Sequence, residues 1–241
     1  MNARATVTRH SVSPARRWLI AARPWALPAS MVPVLLGTVL AVVVGGASFR
    51  VAGFVLGLIG MAVLHTAANM FSDVWDWRRG LDREPTPVSG AIVRGWLTER
   101  QVLRAAVLLF LLGIAIGVGL ALYYAPALWG VGAIGVAIGL AYPWLKAWSL
   151  GDLAVFINFA LLGAAGAWAV QTGRFSSYPI IAAIPSALLV VAILHANNWR
   201  DIATDRPQKV TTLAARLGDE GSLHYYGLLL FAPFGMLAAL I

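Results

Sequence analysis

The residues best placed to do chemistry fall in two short polar runs at the ends of long apolar stretches. The first holds Asn69, Asp73 and Asp76, and the second holds Asn197, Asp201 and Asp205. At 100° per residue, Asn69, Asp73 and Asp76 project at about 0°, 40° and 340°, with His65 at about 320° extending the same face. Asn197, Asp201 and Asp205 project at about 0°, 40° and 80°. The same offset separates Asn69 from Asn197 and Asp73 from Asp201, so an Asn-x-x-x-Asp unit occurs twice. Ionisable groups at a membrane boundary are costly and commonly functional. Two carboxylate clusters facing one another repel unless a cation bridges them. With no cysteine and no paired histidines, the donors are hard oxygens, which favour magnesium over zinc or copper. Magnesium shares its shell readily with phosphate oxygens, so a diphosphate held between the clusters fits. The alternative is that these are helix-end charges paired with Arg78, Arg79, Arg200 and Arg206. The recurrence of the unit weighs against it.

The elements that must carry these groups are transmembrane helices. Of the 241 residues, 60% are hydrophobic and 12% charged, against roughly 25% charged in soluble domains. Apolar stretches long enough to cross a bilayer, which takes about 20 helical residues, run over 24–49, 51–72, 105–145, 153–173, 175–199 and 221–241. Tyr123-Tyr124-Ala125-Pro126 divides the third of these, giving seven expected spans. The fold class is therefore all-α: a polytopic transmembrane bundle with a polar cap of cytoplasmic loops. Residues 1–16 form a basic, mobile N-terminus and 17–241 one transmembrane domain, with no cleavable signal peptide expected.

Net charge is +8. An alternating topology with the N-terminus inside leaves only Arg50 and Arg174 outside. That is the positive-inside bias, so the basic excess reflects topology and not nucleic-acid binding. All ten acidic residues fall on the inner face, which acids do not need for orientation. One face of the cell membrane, the cytoplasmic one, thus carries the ionic chemistry. Two inner loops are long, 77–100 and 206–221. Leu97-Thr98-Glu99-Arg100 reads as a helix start, and 211–218 as a short helix with a glycine stop. His65 and His195 read equally well as helix-packing histidines or as site groups. His10 and His224 are unassigned.

The motifs resemble a known family. NMFSDVWDWRRGLD from Asn69 and NNWRDIATDRPQKVTTLAARLG from Asn197 resemble the two aspartate-rich motifs of the UbiA superfamily of intramembrane prenyltransferases. Tyr142-Pro143-Trp144-Leu145-Lys146 resembles its Tyr-x-x-x-Lys. RPWALPASMVPVLLGT from Arg23 and LGDLAVFINFALLGAAGAWAVQTG from Leu150 are similar to the 1,4-dihydroxy-2-naphthoate polyprenyltransferase branch.

The resemblance implies that a polyprenyl diphosphate lies with its tail in the lipid bilayer and its head between the motifs. Asp73, Asp76, Asp201 and Asp205 would hold Mg2+, with Asn69, Asn197 and Asn198 around them. Lys146, Lys209, Arg23 and Arg200 would face the diphosphate. Tyr142 and Trp144 would shield an allylic cation, although Trp144 reads more readily as part of an interfacial tryptophan belt, and an aromatic acceptor, dihydroxynaphthoate in menaquinone biosynthesis, would attack it. Other acceptors (4-hydroxybenzoate, homogentisate, a glycerol phosphate lipid) stay open, as does a non-catalytic isoprenoid-diphosphate binding or transport protein. Two departures stand out. Ser72 replaces the family's usual Asn before the first Asp. Seven spans are expected where the family has nine, as in a chain truncated at its C-terminus.

Overall fold

The computed structural model describes residues 12–80, 90–202 and 211–238, and all the regular structure among them is helical. α1 (Pro14–Ala22) begins on Ser13, whose hydroxyl accepts from the Arg16 amide at 3.3 Å. Helix thus starts inside the segment expected to be mobile. α1 ends at Arg23, a non-glycine residue at φ 50°, ψ 56°. A turn through Pro24–Ala26 follows, then α2 (Pro28–Val43), bent 46° from the preceding helix. Proline lacks an amide proton, so the helical ladder breaks here.

α3 (Val51–Arg79) has 29 residues. Its length is about 44 Å, longer than the hydrocarbon core of about 30 Å. The overhang allows one helix to anchor in lipid and carry Asp73 and Asp76 toward water. Gly80, at φ 71°, stops it. α4 (Glu99–Tyr123) starts on the expected Thr98, with a capping box to Gln101. α5 (Leu128–Ala147) follows the expected break at Tyr123–Pro126.

The next span is not a uniform helix: α6 (Gly151–Val155) runs into a π-helical stretch, Phe156–Leu162, and then α7 (Gly163–Thr172). Its sequence gave no sign of that irregularity. α8 (Tyr178–Arg200) and α9 (Leu213–Ala238) complete the described chain. The expected glycine stop falls at Gly218, which leaves the helical region at φ 67°.

Among the described residues, five helices are long and apolar enough to cross a membrane, or six with the bent pair α1–α2 counted as one. The seventh expected span is the part of α9 beyond Gly218, which does not meet that measure among the described residues. Large apolar side chains point outward, as Leu108, Leu122, Ile181 and Phe231 do. The helix interfaces are built of alanines, including Ala41, Ala67, Ala106, Ala164, Ala183 and Ala187. This inversion suits a bilayer, where helices associate by close backbone approach and not by escape from water. The tightest approach joins α2 to α7: a Cβ on Gly37 would lie 2.2 Å from the Ala164 carbonyl oxygen. Of the first long inner loop, Ala91, Ile92 and Leu97 pack with Ala21, Met70, Val74, Val102 and Ala106. Expected inner-face residues Asp82, Glu84, Asp205, Arg206 and Lys209 lie outside the described residues.

Candidate functional site

The ends of α3, α5 and α8 and the α1–α2 corner converge on one cavity of about 540 Å³. Its polar end is lined by Arg23, Asn69, Ser72, Asp73, Asp76, Tyr142, Lys146, Asn197, Asn198, Arg200 and Asp201. The described residues of the expected site other than Trp144 are therefore brought together, from four separate parts of the chain. Asp73 and Asp76 are buried, and each has a cation against it. Asp73 accepts from the Arg23 guanidinium, and Lys146 Nζ lies 3.6 Å from Asp76 Oδ2. Arg200 binds Asp201 through two bonds of 2.7 and 2.8 Å. Of the helix-end arginine pairings weighed from sequence, this last one forms as expected, whereas Arg78 pairs with Glu99 at 2.6 Å.

The repulsion expected between carboxylates is thus offset by cations from the protein itself. Such pairs hold buried charge at moderate cost, and breaking one leaves the other uncompensated. Two donors at this end, Asn69 Nδ2 and Arg23 Nε, are buried and make no hydrogen bond among the described residues. Unsatisfied buried donors are rare, and phosphate oxygens would satisfy both. No group of three His, Asp or Glu side chains able to hold a metal forms among the described residues; Asp205 lies outside them. The donor set of Asp73, Asp76 and Asp201 is hard oxygen, as magnesium requires.

Away from this end the cavity turns apolar. Gly53, Gly57, Gly60, Gly117, Gly132 and Gly135 line it, with Leu64, Phe159 and Leu162. Beside Gln171, which lines the far end, Arg50 is held by three contacts. Its amide donates to Gln171 Oε1 at 2.7 Å, its guanidinium to the Val170 carbonyl at 3.0 Å, and it lies over the Tyr124 ring. Arg50, expected outside, is thus at the opposite end from the aspartates. Asn158, on the π-helical stretch, also lines the cavity. Sequence reasoning passed over it, although an amide in the middle of the apolar run Leu153–Gly173 was a visible signal.

Trp144 takes the interfacial place read for the tryptophans. It packs edge-on against Trp75 at 6.2 Å, is 41% exposed and does not line the cavity, so of the two candidate aromatic shields only Tyr142 borders it. The two open histidines also separate. His195 is wholly buried outside the cavity wall, bonded to Asp152 at 2.9 Å. His65 lines the cavity.

A helical bundle around a cavity that is ionic at one end and apolar along its length has the build of an intramembrane protein. Residues 30–241 match the UbiA prenyltransferase family, and the chain belongs to it. Among curated relatives it is 33% identical over 228 residues to "UbiA prenyltransferase domain-containing protein 1" of Xenopus tropicalis, covering 90% of this chain and 64% of that one. It is 33% identical over 234 residues to the Homo sapiens protein of that name, covering 90% and 65%. With the Drosophila melanogaster homolog it shares 34% over 229 residues, covering 92% and 63%. The chain thus spans somewhat under two thirds of these relatives' length. None of the three carries the name of the naphthoate branch expected from sequence.

Two solved structures share the fold. One is described as a UbiA homolog from Archaeoglobus fulgidus bound to DMAPP and Mg2+, with a TM-score of 0.67 and 18% identity over 92% of this chain and 77% of that one. The other is the apo structure of a UbiA homolog from Aeropyrum pernix K1, with a TM-score of 0.65 and 19% identity over 92% and 76%.

Proposed function

We propose that this chain transfers a polyprenyl group from a polyprenyl diphosphate to an aromatic acceptor, in a multi-pass membrane setting with the aspartate end facing the cytoplasm. The carrying observation is the single cavity that joins the Asp73–Asp76–Asp201 end to an apolar channel reaching Gln171. A charged head and a long hydrocarbon tail need those two environments in that order. The archaeal neighbour described as bound to DMAPP and Mg2+ supports the same reading.

Asp73, Asp76 and Asp201, with Asp205, would hold magnesium. When bound, the metal would neutralise charge developing on the leaving diphosphate oxygens. Arg23, Lys146 and Arg200 would then exchange their carboxylate contacts for phosphate oxygens, with Lys209 a further candidate. Lysine serves that role as a mobile point charge. Asn69 Nδ2 donates to the same head group, and Asn197 and Asn198 border it from α8. The allylic C–O bond breaks with its electron pair on the diphosphate, and a ring carbon of the acceptor forms the new C–C bond. The Tyr142 ring stands beside that carbon and offers its electron-rich face to positive charge.

For the acceptor we propose 1,4-dihydroxy-2-naphthoate, on the likeness of residues 23–38 and 150–173 to that branch. The test is product mass spectrometry from membranes given magnesium, a prenyl diphosphate and a panel of aromatic acceptors. Carboxyl-labelled dihydroxynaphthoate should release labelled carbon dioxide in step with a prenylated 1,4-dihydroxynaphthalene, detected as the naphthoquinone after oxidation by air. Prenylation of 4-hydroxybenzoate with its carboxylate retained, and none of the naphthoate, would overturn the acceptor and leave the transfer standing.

A further inference from the structure

The metal and diphosphate roles leave several polar groups on the cavity wall unexplained, and His65 is the one among them that can take up a proton. His65 precedes Asn69 by one helical turn on α3 and Asp73 by two, about 6 and 12 Å along the axis. That depth is just past the diphosphate, where the reacting carbon and the acceptor ring would lie. The His65 ring lines the cavity and rests on Phe159 at 4.5 Å.

The bonds made by Ser30 favour one tautomer of His65. His65 Nδ1 lies 2.8 Å from Ser30 Oγ, and the Ser30 hydroxyl donates to the Leu27 carbonyl at 3.0 Å. A hydroxyl has one proton to give. Ser30 therefore accepts from Nδ1–H, and the neutral imidazole carries its lone pair on Nε2. Nε2 makes no hydrogen bond among the described residues, and it is not one of the atoms sealed from the cavity. A basic nitrogen, oriented from behind by a buried serine, thus faces an apolar space.

We propose that His65 Nε2 is the general base for the acceptor, taking the proton of a ring hydroxyl as that ring attacks. This rests on the prenyl-transfer reading above. As the C–C bond forms, the O–H proton moves to Nε2 and the O–H electron pair makes a ring carbonyl, while the C–O pair of the allylic ester leaves with diphosphate. The resulting dienone loses its ring proton to water, or its carboxylate as carbon dioxide. The oxygen then takes its proton back from the imidazolium, and the histidine is regenerated. The acceptor class this requires is a hydroxyarene with a hydroxyl adjacent to or conjugated with the carbon attacked.

The test uses the full chain carrying His65→Asn, His65→Gln or Ser30→Ala. The asparagine amide can keep the link to Ser30 while removing the base; the glutamine amide reaches the Nε2 position without basicity. Magnesium-dependent binding of a prenyl diphosphate, followed by thermal shift, should persist in all three. The kcat for transfer should fall about 10²-fold or more in both His65 variants, with a smaller change in the acceptor KM. Ser30→Ala should lose less. Acceptor analogues with more acidic hydroxyls should regain rate in His65→Asn, since they need the base least. Wild-type kcat in His65→Asn, or loss in all three variants together with prenyl diphosphate binding, would overturn the base assignment alone. A wild-type chain that binds no prenyl diphosphate with magnesium would overturn the transfer reading and this proposal with it.

Discussion

Replacing Lys146 with methionine tests whether the protein's own cations hold the carboxylates in the absence of ligand. Lys146 Nζ and Asp76 Oδ2 are 3.6 Å apart, with side chains 19% and 9% exposed. Coulomb's law at an effective dielectric of 20 gives about 4–5 kcal/mol for that separation. Desolvation of both ions and the partial exposure of the lysine reduce the net value to about 2 kcal/mol. For a chain of this length that corresponds to a fall of about 4–8 °C in the melting temperature. Methionine keeps the length and apolar bulk of the stem, so the change isolates the charge. The double variant Asp76→Asn, Lys146→Met should recover at least half of the loss, because no buried carboxylate is then left uncompensated. Magnesium should raise the melting temperature of Lys146→Met by more than it raises the wild type, since the ion replaces the missing cation. Both variants, and Asp76→Asn alone, should lose transfer. Thermal melting in detergent, with and without magnesium, reads each of these. Additive losses in the double variant, or no loss in Lys146→Met, would refute the claim that this pair holds the site in its ligand-free form.

Asp73→Asn and Asp201→Asn should each abolish transfer, and Asp73→Asn should also lower the melting temperature because it strips Arg23 of its carboxylate. Gly132 lines the cavity and a Cβ there would meet nothing within 4 Å. Gly132→Leu should therefore fold normally and shift preference toward shorter prenyl diphosphates, read by competition between chain lengths. Cysteines placed by Arg216→Cys and Gly46→Cys should label from opposite sides of the membrane, the first from the cytoplasm. Labelling of both from one side would refute the topology.

The aspartate face was legible because helical geometry is local: three residues at spacings of four and three must share a side wherever the helix goes. The break at Tyr123–Pro126, the Thr98 start and the Gly218 stop were legible for the same reason, since capping and left-handed backbone depend on a few neighbouring residues. The ion pairs were not. Arg23 meets Asp73 across 50 positions, and nothing in either local sequence points to the other. The π-helical stretch around Asn158 was hidden because apolar periodicity looks alike in α and π turns over seven residues. The place of Trp144 in the Tyr-x-x-x-Lys motif left both a cavity and an interfacial position open, because the motif carries no information about which side of α5 meets the cavity. Of the two histidines, each beside an aspartate-bearing motif, only packing decides that one faces the cavity and the other is sealed against Asp152.

The most direct measurement counts products in the purified chain. Diphosphate released from a polyprenyl diphosphate and prenylated acceptor formed are followed together, with magnesium and with excess chelator, in wild type and in Asp73→Asn. One-to-one formation of both with magnesium, and neither in chelator or in the variant, is the expected result. Transfer that survives chelation, or prenyl diphosphate bound with magnesium and returned unchanged in the presence of every acceptor, would contradict the account.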